Sequence, residues 1–313
     1  KKTRQMKNSH FSYADIRFAD IQLLRYRVPG FDDLSLGQKL YVYHLSEAAL
    51  SGRNILWDQN CQHNLRIRLL LEDILQHSAV AREGKDWEAF MTYLHQVWFA
   101  NGIHHHYSTD KFLPAFSAEW FGQAYRAIPS PVIGTEEFER LAEVITNPSV
   151  MPKRVCQSGD DLLLASACNY YGEGVTQHEA EQFYAQQKAS APLPDQPVMY
   201  GMNSRLERDA EGNLYENIYS STGLYGRQIE RICSHLEKAM EFAETDRQRE
   251  VISLLLQFYR TGSLDTFDQY TIQWISEVEG TVDFVNGFTE VYGDPLGLKA
   301  SWEGYVNILD REA

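Results

Sequence analysis

The sequence has few cysteines and no long apolar segment. Four cysteines occur in 313 residues, and no two of them form a Cys-x-x-Cys pair, which excludes a zinc ribbon and a thioredoxin-type redox motif. We expect four reduced and mostly buried thiols, at Cys61, Cys156, Cys168 and Cys233. No run of about 20 apolar residues is present, so the sequence predicts no membrane span.

Positive charge is also scarce. The chain has 29 lysines and arginines against 43 aspartates and glutamates, which gives a formal net charge of −14. We do not expect a nucleic-acid partner, because binding a phosphate backbone requires a basic face. An acidic surface would instead attract a peptide with a free ammonium group. Hydrophobic residues are 43% and charged residues 23%, as in ordinary globular proteins of one large or two modest domains.

Common catalytic motifs are missing as well. No Gly-x-Ser-x-Gly, Walker A or Gly-x-Gly-x-x-Gly stretch occurs, so no local signature supports Ser/His/Asp catalysis or phosphate binding. His178-Glu179 begins like the helix of a zinc peptidase, but that motif requires a second His one turn later. Gln182 and Phe183 stand there instead. Glu179 is better explained as part of a helix-capping box that begins at Thr176.

Most of the chain has the pattern of amphipathic helix. Ser35 with Gln38 is a capping box that predicts one helix start. Asp86 can cap a second helix and Thr135 can begin a third. Apolar residues recur at helical spacing behind each of these starts. Residues 1–150 are therefore predicted to form a helical part.

Strand patterns occur between about residue 161 and residue 288. Short apolar or alternating segments are Leu162–Cys168, Val198–Leu206 and Thr281–Phe288. Residues 209–213, with the sequence Asp-Ala-Glu-Gly-Asn, predict a hairpin turn. The stretch Ser190–Pro197 holds three prolines and predicts a loop.

These patterns predict the fold class. Strands interrupted by helices, without a βαβ rhythm, indicate an α+β protein that is predominantly helical, with a small antiparallel β-core. Residues 151–313 would supply this β-core and the helices that pack on it.

The triplet His104-His105-His106 raises the possibility of a metal site, since imidazole binds zinc, copper and nickel. Successive side chains of a strand point to opposite faces, so only His104 and His106 could converge. Polar residues of a loop or a cleft rim are the alternative interpretation. A metal hydrolase built on His104 and His106 stays open as a hypothesis.

Glu290 and Tyr292 form a candidate binding pair. They are two residues apart in sequence that predicts extended chain, so both side chains would point to one face. A carboxylate can accept hydrogen bonds from a peptide ammonium, and a phenol can donate to a nearby carbonyl. Asp294-Pro295 with Gly297 then predicts a turn. A solvated strand end followed by a turn would explain the same residues.

The segment Gly287–Gly297 resembles the Gly-Phe-Ile-Glu-Ser-Tyr-x-Asp-Pro-x-Gly stretch of the dipeptidyl peptidase III family. Other stretches resemble that family in the same order along the chain. They are Asp110–Pro114, Asn203–Arg205, Trp274–Glu279 and Glu303–Val306. The N-terminal part, with Leu-Leu-Arg-Tyr and Pro-Gly-Phe, looks most like the bacterial branch.

The resemblance implies a two-lobed zinc peptidase, with this chain forming most of the lower lobe. Carried over by position, Glu290 would hold the free amino group of the substrate, so that dipeptides are released from the N-terminus of short peptides. Tyr292 would act as a catalytic residue that donates to the carbonyl of the scissile region. Tyr107 falls where the family has an aromatic cleft residue. Val291, which replaces a serine of the family, would form the pocket edge.

The same resemblance implies that the metal site lies elsewhere. The family's zinc motif is His-Glu with a second His five residues after the first, on an upper-lobe helix, and it does not occur in this sequence. We therefore expect zinc in the complete enzyme, no metal bound by this chain, and no peptide hydrolysis by the chain alone. A stand-alone, non-catalytic peptide-binding or scaffold protein derived from the same fold is the alternative.

The two ends of the sequence support a further expectation. The chain opens at Lys1 without an initiator Met, and it stops at Ala313 in helix-friendly sequence with no capping Gly or Pro. We expect a part of a longer protein whose partner is the missing upper lobe. The expected location is cytoplasmic, or exported if an N-terminal signal has been removed.

Overall fold

The computed structural model describes residues 11–190 and 199–310, and within these ranges it contains eleven helices and six strands. The helices are α1 (Leu36–Ser51), α2 (Arg53–Asn60), α3 (Asn64–His77), α4 (Lys85–Ala100), α5 (Ala118–Arg126), α6 (Thr135–Thr146), α7 (Leu162–Ala165), α8 (Gln177–Ala189), α9 (Gly226–Met240), α10 (Asp246–Thr261) and α11 (Leu264–Ser276). The strands are β1 (Ala14–Phe18), β2 (Ile21–Leu24), β3 (Ser204–Arg208), β4 (Leu214–Ile218), β5 (Val282–Glu290) and β6 (Ser301–Ile308).

The strands form three separate two-stranded antiparallel sheets, β1 with β2, β3 with β4, and β5 with β6. The predicted α+β class, mostly helical with small antiparallel sheets, is confirmed. The β1–β2 hairpin lies inside the N-terminal part that the sequence pattern assigned to helix. The division at residue 150 stays a prediction.

Local capping determines several helix starts as the sequence indicated. Gln38 N–H donates to Ser35 Oγ at 3.2 Å, and the side chain of Gln38 accepts from Ser35 N–H at 2.8 Å. The second capping box, Thr176 with Glu179, is present as well. Asp86 is not the cap of α4. It lies in the first turn, and its carboxylate accepts from the Ser117 N–H at 2.6 Å.

Two strand predictions require correction. Leu162–Cys168 is not a strand, because the Asp161 carboxylate accepts from the N–H groups of Leu163 and Leu164 and starts the one-turn helix α7. Val198 lies outside the described residues, and the described part of that predicted segment, residues 199–206, forms strand only from Ser204, after turns. The hairpin turn at residues 209–213 joins β3 to β4 as predicted. The predicted loop Ser190–Pro197 lies outside the described residues, except for Ser190.

The main hydrophobic core joins α1, α9, α10, α11 and the β5–β6 hairpin. Trp302 of β6 lies in this core beside Phe288 of β5, with ring centroids 5.6 Å apart. Gly52, between α1 and α2, lies directly against the indole ring of Trp302. A Cβ placed there would lie 2.0 Å from the Trp302 indole. The β5–β6 hairpin is therefore anchored to the core through Phe288 and Trp302, and the exposed Glu290 follows Phe288 by two residues.

A second core joins α3, α4, α5 and α6 through stacked aromatic side chains. Phe121 and Tyr125 of α5 pack on Phe138 of α6, at centroid distances of 5.4 and 4.0 Å. A third, smaller cluster packs α7 and α8 against β3. Among the described helices, none is both long and apolar enough to cross a membrane.

Candidate functional site

The end of β5 presents Glu290 to solvent. Phe288 pairs with Trp302 and Glu290 pairs with Ser301, so Thr289 is an extra residue in β5 and forms a β-bulge. Ser301 Oγ donates to the Glu290 carbonyl at 2.9 Å, which fixes the backbone at this point. Within residues 11–190 and 199–310, the Glu290 carboxylate has no hydrogen bond or ion pair, so it is available to a ligand.

Tyr292 does not lie on the extended strand with Glu290, so the expectation that both share a strand face is wrong. The strand ends at Glu290, and the Asp294 N–H donates to the Val291 carbonyl at 3.1 Å, which closes a turn. Val291 is half-buried and packs on the main core, whereas Tyr292 is 72% exposed. Tyr292 therefore lies in a turn that follows the end of β5 at Glu290.

Asp294 organises the loop that follows. Its buried carboxylate accepts from the N–H groups of Leu296, Leu298 and Lys299 at 2.8 to 3.1 Å. It also accepts from the Tyr171 hydroxyl at 3.0 Å. Burial raises the pKa of Asp294, and these backbone donors act in the opposite direction. The Asp-Pro-x-Gly turn is therefore a preformed element beside the end of β5.

Lys299, at the end of this loop, is fully buried. Its ammonium donates to the Gly201 carbonyl at 3.1 Å and to Ser204 Oγ at 3.2 Å, and it contacts the Tyr184 hydroxyl. Glu216 accepts from that hydroxyl at 3.0 Å and from Ser204 Oγ at 2.6 Å. Burial lowers the pKa of Lys299 to about 8. This network connects the loop after β5 to the β3–β4 hairpin.

A cleft of about 830 Å³ opens beside Tyr292. Its walls are the segments 106–109 and 153–158, which face the turn that holds Tyr292. Tyr107, which is 87% exposed, lies at the same cleft. The structure thus brings together two of the four predicted site residues, Tyr107 and Tyr292. Glu290 and Val291 are not among the described residues that line the cleft.

Of the three histidines, His105 and His106 stack at a ring-centroid distance of 4.4 Å, and His104 is not among the described residues that line the cleft. His104 is buried, and its Nε2 lies 2.9 Å from the Met151 carbonyl. Burial lowers its pKa to about 4. His106 lines the cleft, with its ring edge-on to Phe99 at a centroid distance of 4.9 Å. In the described part of the chain, no group of three or more His, Cys, Asp or Glu side chains could hold a metal ion.

Two residues of this region were not recognised from the sequence. Arg154 lines the cleft, and Lys299 lies beneath the loop after β5. Lys153-Arg154 is a pair of basic residues in a chain that has few of them, and this pair was the sequence feature that could have indicated Arg154. Lys299 follows the apolar Leu298, but a sequence pattern does not show that an ammonium is buried.

Two solved structures with a similar fold carry the name dipeptidyl peptidase III. The structure of DPP III from Caldithrix abyssi superposes with a TM-score of 0.59 and 19% identity, and covers 90% of this chain and 41% of that one. Dipeptidyl-peptidase III from Corallococcus sp. strain EGB gives a TM-score of 0.60 at 16% identity, and covers 91% and 41%. The chain therefore has the fold of part of these enzymes.

Sequence comparison identifies the family. The model of Peptidase family M49 matches residues 154–313, just over half of the chain, so the chain belongs to peptidase family M49. Dipeptidyl peptidase 3 of Mus musculus is 25% identical over 316 residues, and that of Homo sapiens is 22% identical over 327 residues. Each match covers 89% of this chain and 42% of the relative. The predicted dipeptidyl peptidase III resemblance is confirmed. The chain spans about two fifths of the length of these relatives.

Proposed function

We propose that this chain is the substrate-binding part of a zinc-dependent dipeptidyl peptidase, which removes dipeptides from the N-terminus of short peptides. The observation that supports this most directly is the exposed Glu290 carboxylate at the end of β5, which has no partner among the described residues. It lies in the segment that carries the family resemblance. Membership of a peptidase family supports the general class, and the precise reaction is the proposal.

Glu290 would hold the ammonium group of the peptide. A carboxylate that meets an ammonium forms charge-assisted hydrogen bonds, which are roughly twice as strong as neutral ones. The net charge of −14 would favour the approach of such a peptide. Among the described strands, β5 has β6 as its one neighbour. A peptide could therefore add along the other edge of β5, where main-chain hydrogen bonds would give affinity for varied sequences.

Tyr292 would donate a hydrogen bond to a substrate carbonyl, and Tyr107 would offer an apolar face to a substrate side chain. Both rings lie at the same cleft, and both are mostly exposed. Val291, half-buried under the turn, would limit the pocket at its edge. Tyr292 is two residues from Glu290, so their Cα atoms are within about 7 Å of each other. The first residues of a peptide held at Glu290 would therefore reach the cleft.

The zinc ion implied by the family does not fit the residues that the structure describes, because they offer no suitable group of ligands. We propose that the chain alone does not hydrolyse peptides and that the ligands belong to its missing partner lobe. Zinc-dependent release of dipeptides by the purified chain would contradict this.

Calorimetry can test the binding role. The chain would be titrated with Ala-Ala-Ala amide and with the N-acetylated form of the same peptide, neither of which carries a carboxylate. We expect the free form to bind at least about tenfold more tightly, as one charge-assisted contact allows. Glu290→Gln should abolish this preference. Glu211→Gln, on the exposed β3–β4 turn, removes the same charge elsewhere and should keep it. Equal binding of both peptides would contradict the role of Glu290.

A further inference from the structure

Arg154 is held in place by its backbone. Its N–H donates to the Thr109 carbonyl at 2.8 Å, and its carbonyl accepts from the Cys168 N–H at 3.1 Å. The backbone of the neighbouring Lys153 forms an isolated antiparallel β-bridge with the backbone of Asp110. The backbone of Arg154 is therefore held between the segments of Thr109 and Cys168, at the wall of the 830 Å³ cleft.

Among the residues that the structure describes, no carboxylate pairs with the Arg154 guanidinium. Nη1 donates to Asn60 Oδ1 at 2.9 Å, and Nη2 lies 3.5 Å from the His106 carbonyl. The buried Nε has no hydrogen-bond partner among the described residues. Both contacts are neutral oxygens. Lys153 differs, because its ammonium pairs with the Asp110 carboxylate at 3.2 Å.

The surroundings of Arg154 do not compensate its charge. Removal from water lowers its pKa, and the ionisable groups that act in the opposite direction are Tyr170, Cys168 and Tyr292. Burial raises the pKa of Tyr170 and of Cys168, so both are neutral at pH 7. Of the described residues that line the cleft, none is an aspartate or a glutamate, although the whole chain has 43 of them. A partly desolvated cation without a counter-ion is unfavourable, and a ligand anion would relieve this cost.

We propose that this cleft binds a carboxylate through the Arg154 guanidinium, so that peptides with a carboxylate within their first few residues are preferred ligands. The carboxylate can be an acidic side chain or the free C-terminus of a very short peptide. Arginine suits this role because its planar fork matches a carboxylate. The exposed rings of Tyr107 and Tyr292 would flank the peptide. The inference deepens the proposed function and rests on it for the peptide class.

The test compares three peptides by calorimetry with the wild-type chain. The peptides are Ala-Ala-Ala amide, which has no carboxylate, Ala-Ala-Ala with a free C-terminus, and Ala-Glu-Ala amide. We expect at least one carboxylate peptide to bind about tenfold more tightly than the amide, as one charge-assisted pair allows. The two carboxylate peptides distinguish the two sources. Equal affinity of all three in the wild-type chain would overturn the proposal, whether or not any variant folds.

Substitutions then test whether Arg154 is the residue that binds the carboxylate. Arg154→Gln should reduce the affinity ratio between the carboxylate peptide and the amide to about one. Arg154→Lys keeps the charge but loses the fork, and should retain part of the ratio. Lys188→Gln removes a positive charge at an exposed position of α8 that does not line the cleft, so it is the control and should keep the ratio. A full ratio in Arg154→Gln, or an equal loss in Lys188→Gln, would contradict the assignment.

Two further measurements separate this inference from the role of Glu290. The same series with acetylated N-termini should keep the carboxylate preference even if recognition of the free amino group fails. Inorganic phosphate should compete only weakly with the carboxylate peptides. If phosphate binds more tightly than any of them, the cleft is a phosphate site and the peptide proposal is wrong.

Discussion

The fully buried Lys299 should make the stability of the fold depend on pH. Its ammonium is surrounded by the Gly201 carbonyl and the hydroxyls of Ser204 and Tyr184. Burial lowers its pKa from 10.5 to about 8, although the negative charge of Glu216 acts in the opposite direction. The charged form is thus less favourable in the folded state than in water.

The sign of the effect follows from proton binding. The unfolded chain returns Lys299 to its ordinary pKa of 10.5, so above about pH 8 the unfolded state holds more protons than the folded state. Stability from this group therefore rises with pH and is lowest below pH 8. With pKa values of 10.5 and about 8, the gain between about pH 7 and about pH 9.5 is roughly 2 kcal/mol.

Urea unfolding of the wild type and of Lys299→Met, at about pH 7 and about pH 9.5, measures this gain. Three cysteines with pKa values raised by burial, Cys61, Cys168 and Cys233, affect stability in the same range. The informative quantity is therefore the difference in unfolding free energy between the two proteins at each pH. It should shift in favour of the wild type by about 2 kcal/mol as pH rises. A difference that does not change with pH would refute the reasoning.

Lys188→Met supplies the control for the loss of one lysine, because Lys188 lies at an exposed position of α8. Any pH-dependent difference that it shows is subtracted before the effect at Lys299 is read.

Three further substitutions test the packing around β5. Gly52→Ala should destabilise the fold by about 1–3 kcal/mol, since the new methyl would lie 2.0 Å from the Trp302 indole. The backbone there has φ −85°, which alanine adopts. Asp294→Ala should cost at least about 2 kcal/mol, because it leaves three backbone N–H groups without their acceptor. Phe288→Ala, in the main core, should cost about 3–5 kcal/mol. Urea unfolding at pH 7 measures all three.

Each of these three substitutions has a control variant or an outcome that would contradict its prediction. Gly134→Ala, where nothing lies within 4 Å of the added methyl, meets no steric clash and should cost only what alanine loses to glycine at this helix N-cap. If Gly52→Ala is equally mild, the contact with Trp302 is not as described. Asp294→Asn keeps one acceptor oxygen and should be less harmful than Asp294→Ala. A cost below about 1 kcal/mol for Phe288→Ala would show that this side chain is not part of a packed core.

Local structure could be predicted where the determining residues are close in sequence. The capping boxes at Ser35 and Thr176 each involve a partner three residues away. The turn at residues 209–213 is closed by Asp209, whose carboxylate accepts from the N–H groups of Glu211 and Asn213. Such contacts form wherever the local sequence allows, so a pattern within a few residues is sufficient.

The candidate site could be predicted only in part. The family motif located Glu290 and Tyr292, but the bulge at Thr289 and the turn after Val291 changed how they are presented. The bulge depends on pairing with β6, which a local pattern does not encode, whereas the turn is closed between Val291 and Asp294, three residues apart.

The cleft itself depends on distant contacts. The Arg154 guanidinium is positioned by Asn60, which is 94 residues away in sequence. Lys299 is buried by contacts with Ser204 and Tyr184, at separations of 95 and 115 residues. Burial and an unpaired charge arise only when such segments meet, so sequence reasoning did not identify either residue.

The position of a bound peptide tests the central claim most directly. A crystal structure of the chain with saturating Ala-Glu-Ala amide should show the peptide ammonium within about 3 Å of the Glu290 carboxylate, the range of a charge-assisted hydrogen bond. Its main chain should extend toward the cleft at Tyr107 and Tyr292. A peptide bound with its ammonium away from Glu290, or an empty cleft at saturating concentration, would contradict the proposed substrate-binding role.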